Sequence, residues 1–139
     1  MADPTSASGA AQAIAVSALR AQQGRMRIIA ENLANAGSTS RTPGGDPYRR
    51  QAPVFAPTPV AGGMGVRMTR VEPDKTAFKS DYEPGNPSAN AAGYVKLSNV
   101  DPLIEAMDMR QAQRAYEANL NVIETARAMD MRTLDLLKR

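Results

Sequence analysis

The stretch PLIEAMDMRQAQRAYEANLNVIETARAMDMRTLDLL, Pro102 to Leu137, decides the fold. Wound at about 100° per residue, it sorts into two faces. Ala112, Ala115, Val122, Ile123, Ala126, Met129, Thr133 and Leu137 share one side, flanked by Tyr116, Leu120, Leu134 and Leu136. Arg110, Arg114, Glu117, Asn121, Glu124, Arg132 and Asp135 share the other. Asp101-Pro102 supplies an N-cap followed by proline at the first helical position. Glu105 and Asp108 suit the positive end of the dipole, and no Gly or Pro interrupts the run afterwards. Such a helix is ~54 Å long at 1.5 Å per residue. Its apolar arc is wider than one partner helix covers, which points to other subunits as the remainder.

Outward from this helix, the chain is poorly supplied for a globular core. Only 4% of its 139 residues are aromatic, Trp is absent, and alanine makes up much of the hydrophobic fraction. One domain by length, it reads as an elongated subunit of an assembly. The alternative is a small helical bundle with loose loops. Lys and Arg exceed Asp and Glu by 17 to 14. The basic residues are scattered among acidic ones with no interleaved aromatics, so solvated faces explain them better than nucleic-acid binding.

Ala10 to Ala36 carries a second helical period. Val16, Leu19, Met26, Ile29, Ala30 and Leu33 lie on one face, with Arg20, Arg27, Glu31 and Asn35 on the other. Ile14 and Ile28 fall on the polar side, either as surface residues or as a second contact face. Gly24 weakens the middle of this helix by about 1 kcal/mol relative to alanine, and Gly37 stands where a C′ glycine ends a helix. Met1 to Gly9 is small, polar and proline-bearing, and reads as a disordered arm. Met1 to Ala18 lacks the basic region and long apolar core of a Sec-type signal peptide. No run approaches ~18 apolar residues, so no membrane span is expected.

Residues 37–100 hold most of the prolines and glycines. A short extended segment is expected around Val54-Phe55, confined to an edge by Pro53, Pro57 and Pro59. Gly62-Gly63 makes a turn, Gly65 to Glu72 a strand, Ala77-Phe78 a partner strand or the close of a hairpin, and Gly93 to Leu97 a last extended piece. Glu83-Pro84-Gly85-Asn86-Pro87 reads as a double turn.

The absence of Cys and His removes thiol nucleophiles, common zinc sites and every His-dependent triad. Asp74, Asp81 and Glu83 could pair for acid–base work, but beside Lys75 and Lys79 a solvated loop fits better. Gly62, Gly63 and Gly65 lack the Lys-Ser/Thr of a phosphate loop. Met107, Met109, Met129 and Met131 read as helix packing. No enzyme reading survives, and no cofactor or metal is expected. Asn119 and Asp130 lie inside the apolar arc, where they either fix register between packed helices or sit at a seam edge.

The residues now quoted resemble the axial family of the bacterial flagellum, its rod and hook proteins. Ser17-Ala18-Leu19, Arg25-Met26 and Ile28-Ile29-Ala30-Glu31-Asn32-Leu33-Ala34-Asn35 are similar to the family's N-terminal signature. Pro47-Tyr48-Arg49, Pro53-Val54-Phe55, Pro84-Gly85-Asn86-Pro87-Ser88-Ala89, Gly93-Tyr94-Val95-Lys96-Leu97 and Asn99-Val100 resemble the basal-body rod members in particular. Arg114-Ala115-Tyr116-Glu117-Ala118-Asn119 and Thr133-Leu134 look like the family's C-terminal helix. Gly37, Ser98 and Asp101-Pro102 depart from the pattern at the joins between segments.

The resemblance implies a mainly α fold: long N- and C-terminal helices pairing as an elongated coiled-coil-like hairpin, with a small irregular β-containing middle segment. It divides the chain into the arm 1–9, a tube helix 10–36, an outer segment 37–100 and a tube helix 101–139. It implies a structural subunit of the proximal rod, meeting other copies and other rod proteins. Export through the flagellar type III apparatus without cleavage is also implied. The subunit interface expected from helix faces and signature is Leu19, Met26, Ile29, Asn32, Leu33, Asn35, Tyr116, Asn119, Val122, Ile123, Ala126, Met129, Asp130, Leu134 and Leu137. Another axial rod component is the first alternative, and a secretion-chaperone-like helical binding module is the alternative from a different class.

Overall fold

The computed structural model describes residues 6–139. The element order is α1 (Ala7–Ala34), β1 (Gln51–Val60), β2 (Gly63–Pro73), β3 (Lys79–Tyr82), β4 (Tyr94–Leu97) and α2 (Pro102–Leu137). Two long helices with a small antiparallel β middle are thus the fold that the sequence led us to expect. Among the described residues no helix is long and apolar enough to cross a membrane.

Both helices start on side-chain caps. Asp101 Oδ1 accepts from the backbone N–H of Leu103 at 3.0 Å, and Ser6 Oγ accepts from that of Gly9 at 3.0 Å. The Ser6 cap starts α1 at Ala7, three residues before the expected Ala10. The remainder of the expected arm, Met1 to Thr5, lies outside the described residues. At its C-terminal end α1 closes without a left-handed glycine, since Gly37 is absent from the positive-φ residues. The Ala36 N–H bonds instead to the Leu33 carbonyl and the Ser38 N–H to the Asn35 carbonyl, tightening the last turn.

The strands form two separate two-stranded sheets, β1 with β2 and β3 with β4. This corrects two expectations: β1 runs ten residues through its three prolines, and the partner of β2 is β1, not Ala77-Phe78. The prolines are tolerated because they share one parity. The Arg50 carbonyl accepts from the Asp74 N–H at 2.8 Å, so even-numbered backbone groups of β1 point toward β2. Pro53, Pro57 and Pro59 are odd-numbered, and their missing donors fall on the open edge. The connecting turn is Ala61-Gly62, where Gly62 takes φ +81°.

The chain divides into two compact units: Met1–Met26 with Val54–Arg70 and Arg110–Arg139, and Arg27–Pro53 with Val71–Met109. In the first, α1 and α2 run antiparallel. Asp130 accepts from Ser8 and from Gln12 (3.2 Å), and Arg25 donates to Gln111 at 3.1 Å. Ala15 and Ala21 on α1, and Ala112, Ile123 and Ala126 on α2, are buried. The four alanines among them let the two helices approach closely. The β1–β2 hairpin rests on the same helix. Ser17 Oγ accepts from the Val66 N–H at 3.1 Å, and a Cβ on Gly65 would collide with that hydroxyl. A Cβ on Gly24 would stand 3.0 Å from Met68 Cε. Gly24 therefore trades helix propensity for contact with the hairpin.

In the second unit, β3 and β4 pair in the register Tyr82↔Tyr94 to Lys79↔Leu97. The two tyrosine rings meet edge to face at 5.2 Å. Gly93, at φ +84°, leaves room for the Tyr82 ring, which a Cβ there would approach to 2.8 Å. Asn86 N–H to Glu83 carbonyl and Ala89 N–H to Asn86 carbonyl form the double turn read from the sequence.

Candidate functional site

On α2 the buried and half-buried positions include Glu105, Met109, Ala112, Tyr116, Asn119, Ile123, Ala126 and Asp130, alternately four and three apart. That spacing is a coiled-coil seam, and it is narrower than the wide arc of the sequence reading. In the first unit α1 occupies this seam. Ile123 and Ala126 are buried there, Tyr116 is half-buried, and Asp130 is tied to α1 through Ser8 and Gln12. Leu19 and Met26 of α1 are half-buried. Asn119 bonds instead to the carbonyl of Ala115 on its own helix at 2.7 Å. Of the two polar residues in the arc, only Asp130 bridges the helices within the chain.

The rest of the arc faces outward. Val122 is 44% exposed, Met129 59%, Leu134 57% and Leu137 78%, with Leu120, Met131 and Leu136 also exposed. The expected interface residues therefore separate into a set the chain covers itself and a set left free for a neighbour. Beside Val122 and Met129, an apolar groove of about 380 Å³ runs along Ala7, Ala11, Thr125 and Ala126.

In the second unit Ile29 is buried and Leu33 half-buried. Asn35 caps its own helix, donating to the Glu31 carbonyl at 2.8 Å. Asn32 sits in a buried polar cluster. Its Nδ2 donates to the Gln51 carbonyl at 2.8 Å and to Glu105 Oε2 at 3.2 Å. Its Oδ1 accepts from the Tyr48 hydroxyl at 2.8 Å and the Gln51 N–H at 2.9 Å. All four hydrogen-bonding positions of the amide are used. Glu105 accepts from Arg50 Nε through its other oxygen. Arg50 also reaches Asp74 at 3.4 Å and Asp108 at 3.6 Å. Asn99 completes the join, with Oδ1 accepting from the Arg50 N–H at 2.7 Å and Nδ2 donating to the Asp74 and Thr76 carbonyls. Arg49 donates to the same two carbonyls and lies 4.1 Å over the Phe78 ring.

The electrostatics follow from these contacts. Burial opposes the charge on Arg50, but the hydrogen bond and charge of Glu105, with Asp74 and Asp108, outweigh it and raise the pKa further. Thr76 hydroxyl and N–H bonds, helped by Arg50, hold Asp74 below the usual carboxylate range. Burial, then Glu31 and Glu105, push the Tyr48 hydroxyl up.

Arg50 and the core role of Glu105 were not visible in the sequence, where Glu105 reads as a dipole partner, while Tyr48 and Asn99 stood in family motifs with no role read for either. The usable signal was the Asn32 signature itself, a polar residue on the apolar side of α1. Asp74, read with Asp81 and Glu83 as one acidic loop, belongs to this cluster, while Asp81 and Glu83 are exposed on the hairpin side. The arrangement holds chain segments together through directed hydrogen bonds and ion pairs.

Over 138 residues, 98% of this chain and 97% of the relative, the sequence is 47% identical to the flagellar basal-body rod protein FlgC of Agrobacterium fabrum. The chain belongs to the FlgC family of flagellar basal-body rod proteins. The FlgC proteins of Salmonella typhimurium and Borreliella burgdorferi are 44% and 40% identical, covering 88% and 90% of this chain and 92% and 94% of their own lengths. Residues 91–136 also match the family described as flagellar basal body rod FlgEFG protein C-terminal. The FlgC family is structural, and this chain is a structural rod subunit of the basal body. The family match takes in β4, Asn99, Glu105 and the whole α2 seam to Leu136.

Proposed function

We propose that this FlgC-family chain polymerises in the proximal rod through the outward apolar faces of α1 and α2. Its neighbours are other copies and other rod proteins, it reaches the rod through the flagellar type III apparatus uncleaved, and residues 37–100 form the outer segment. One observation carries the reading. After α1 has covered its seam, α2 still exposes Val122, Met129, Leu134, Leu136 and Leu137. A contiguous apolar face of this kind marks an interaction surface.

The partition of the expected interface residues supports the same division of labour. Ile29, Asn32, Ile123, Ala126 and Asp130 hold the subunit together, and Val122, Met129, Leu134 and Leu137 meet neighbours. The test is complementation of a deletion strain, followed by isolation of basal bodies. The full chain should restore rods that contain it with its first residues intact. Rods that form and function without it would overturn the reading.

A further inference from the structure

In the second unit the loop between α1 and β1 encloses a polar cleft of about 500 Å³. Its walls are tied down from outside. Ser40 is buried, its Oγ donating to the Thr42 carbonyl at 2.8 Å and accepting from the Thr42 N–H at 3.0 Å. Gly45 packs so closely on Ser40 that a Cβ there would stand 2.3 Å from its Oγ. Gly44, at φ +69°, donates its N–H to the Ser88 carbonyl at 3.2 Å. Tyr48, another wall, is anchored through its hydroxyl on Asn32. The loop is therefore held in shape before anything enters it.

Three observations define what the cleft accepts. Arg41 is exposed on its lining, and its side chain pairs with no group among the described residues. Asp46, the one acid of the lining, is already matched by Lys96 at 2.9 Å. Ser38 Oγ is buried on the same lining and has no hydrogen-bond partner among the described residues. The cleft thus carries one uncompensated positive charge and a hydroxyl in want of a partner. Its volume far exceeds that of an inorganic ion, and Pro47 and the Tyr48 ring add apolar wall. A single guanidinium fork among neutral hydroxyls fits a monoanion with two coplanar oxygens.

We propose that this cleft is a binding site for a carboxylate borne on an organic group. Arg41 grips the carboxylate, and the hydroxyls of Thr39 and Ser38 are the neutral donors beside it. The carboxylate comes from an acidic side chain of a protein neighbour or from a free organic acid, which share this chemistry. The site does not involve the apolar faces of α1 and α2, so it stands or falls independently of the polymer contacts proposed above.

The purified full chain is titrated at low salt with N-acetylglutamate α-amide, with its glutamine counterpart and with inorganic phosphate, and NMR shifts are followed. The glutamate probe should give saturable shifts centred on the loop and the Arg41 Nε–H. Its affinity should exceed that of the glutamine probe by roughly tenfold or more. Arg41→Gln should bring binding down to the glutamine level, and it leaves the fold intact because the Arg41 side chain bonds to nothing in the described chain. Asp46→Asn removes the one acid of the lining and should tighten binding. No saturable shift, equal binding of the two probes, tighter binding of phosphate, undiminished binding by Arg41→Gln or weaker binding by Asp46→Asn would each overturn the proposal. A second arm recovers rods from cells that secrete Arg41→Gln. Once the titration has upheld the site, loss of rods assigns the carboxylate to a protein neighbour and normal rods assign it to a free acid.

Discussion

Asn32 Nδ2 donates to Glu105 Oε2 at 3.2 Å, between two side chains that are 1% and 0% exposed. This bond joins the last turns of α1 to the first turn of α2, and the same amide clamps Tyr48 and Gln51. Asn32→Ala leaves a buried carboxylate oxygen, a hydroxyl and a backbone pair short of partners. At roughly 1–3 kcal/mol for a buried polar group left unsatisfied, the loss should reach about 3 kcal/mol. Asn35→Ala removes a bond to its own helix alone and should cost under about 1 kcal/mol. Urea unfolding of both variants checks the contrast.

Arg50 faces three carboxylates, Glu105, Asp74 and Asp108. A planar fork meets several acceptors at once, and a lysine ammonium does not reproduce it. Arg50→Lys keeps the charge yet should lower stability by roughly 2 kcal/mol, since Glu105 is fully buried and loses its directed partner. Equal stability in thermal unfolding would mean that charge alone suffices.

The two shifted acids bracket the pH range of the second unit. Tyr48 is raised above 10.0, so the folded state holds its proton more tightly than the unfolded one. The stabilisation is complete below pH 10 and declines as pH rises toward the folded value. Asp74 is lowered below 3.8, so its contribution is present above that pH and disappears as pH falls through the folded value. Tyr48→Phe should flatten the alkaline limb of a stability–pH curve and Asp74→Asn the acid limb, each leaving the other unchanged.

Gly24 and Met68 form a testable pair, because a Cβ at Gly24 would meet the flexible end of Met68. Gly24→Ala should change stability little, helix propensity gaining what repacking of Met68 loses. In a Met68→Ala background the same substitution should gain about 1 kcal/mol. Strict additivity in the double-mutant cycle would show that the two residues are independent.

These contacts also show how far the sequence could be read. Helix α2 was legible to the residue because period, Asp101 cap and Pro102 coincide. Ser6 was not, since it stands among small polar residues without a capping partner pattern. The ten-residue β1 was obscured by prolines whose common parity matters only once the paired edge is known. The polar cluster was the least legible. Arg50 and Glu105 are 55 residues apart, and a lone charged residue gives no local sign that a distant partner will bury it. Periodicity placed Val122 and Ile123 on one arc, but only packing separates a residue covered by α1 from one left outside.

That separation supplies the most direct test of the account. Ile123 is 7% exposed in the seam and Val122, one residue earlier, is 44% exposed. Ile123→Asp buries an unpaired carboxylate, costs several kcal/mol and should disrupt the helix pair of the isolated subunit. Val122→Asp should leave the subunit's unfolding free energy within about 0.5 kcal/mol of the parent and permit secretion. The decisive measurement is the recovery of rods from cells that secrete Val122→Asp. The account predicts secreted, folded subunits and no rods; normal rods would contradict it, because the outward face of α2 would then meet nothing.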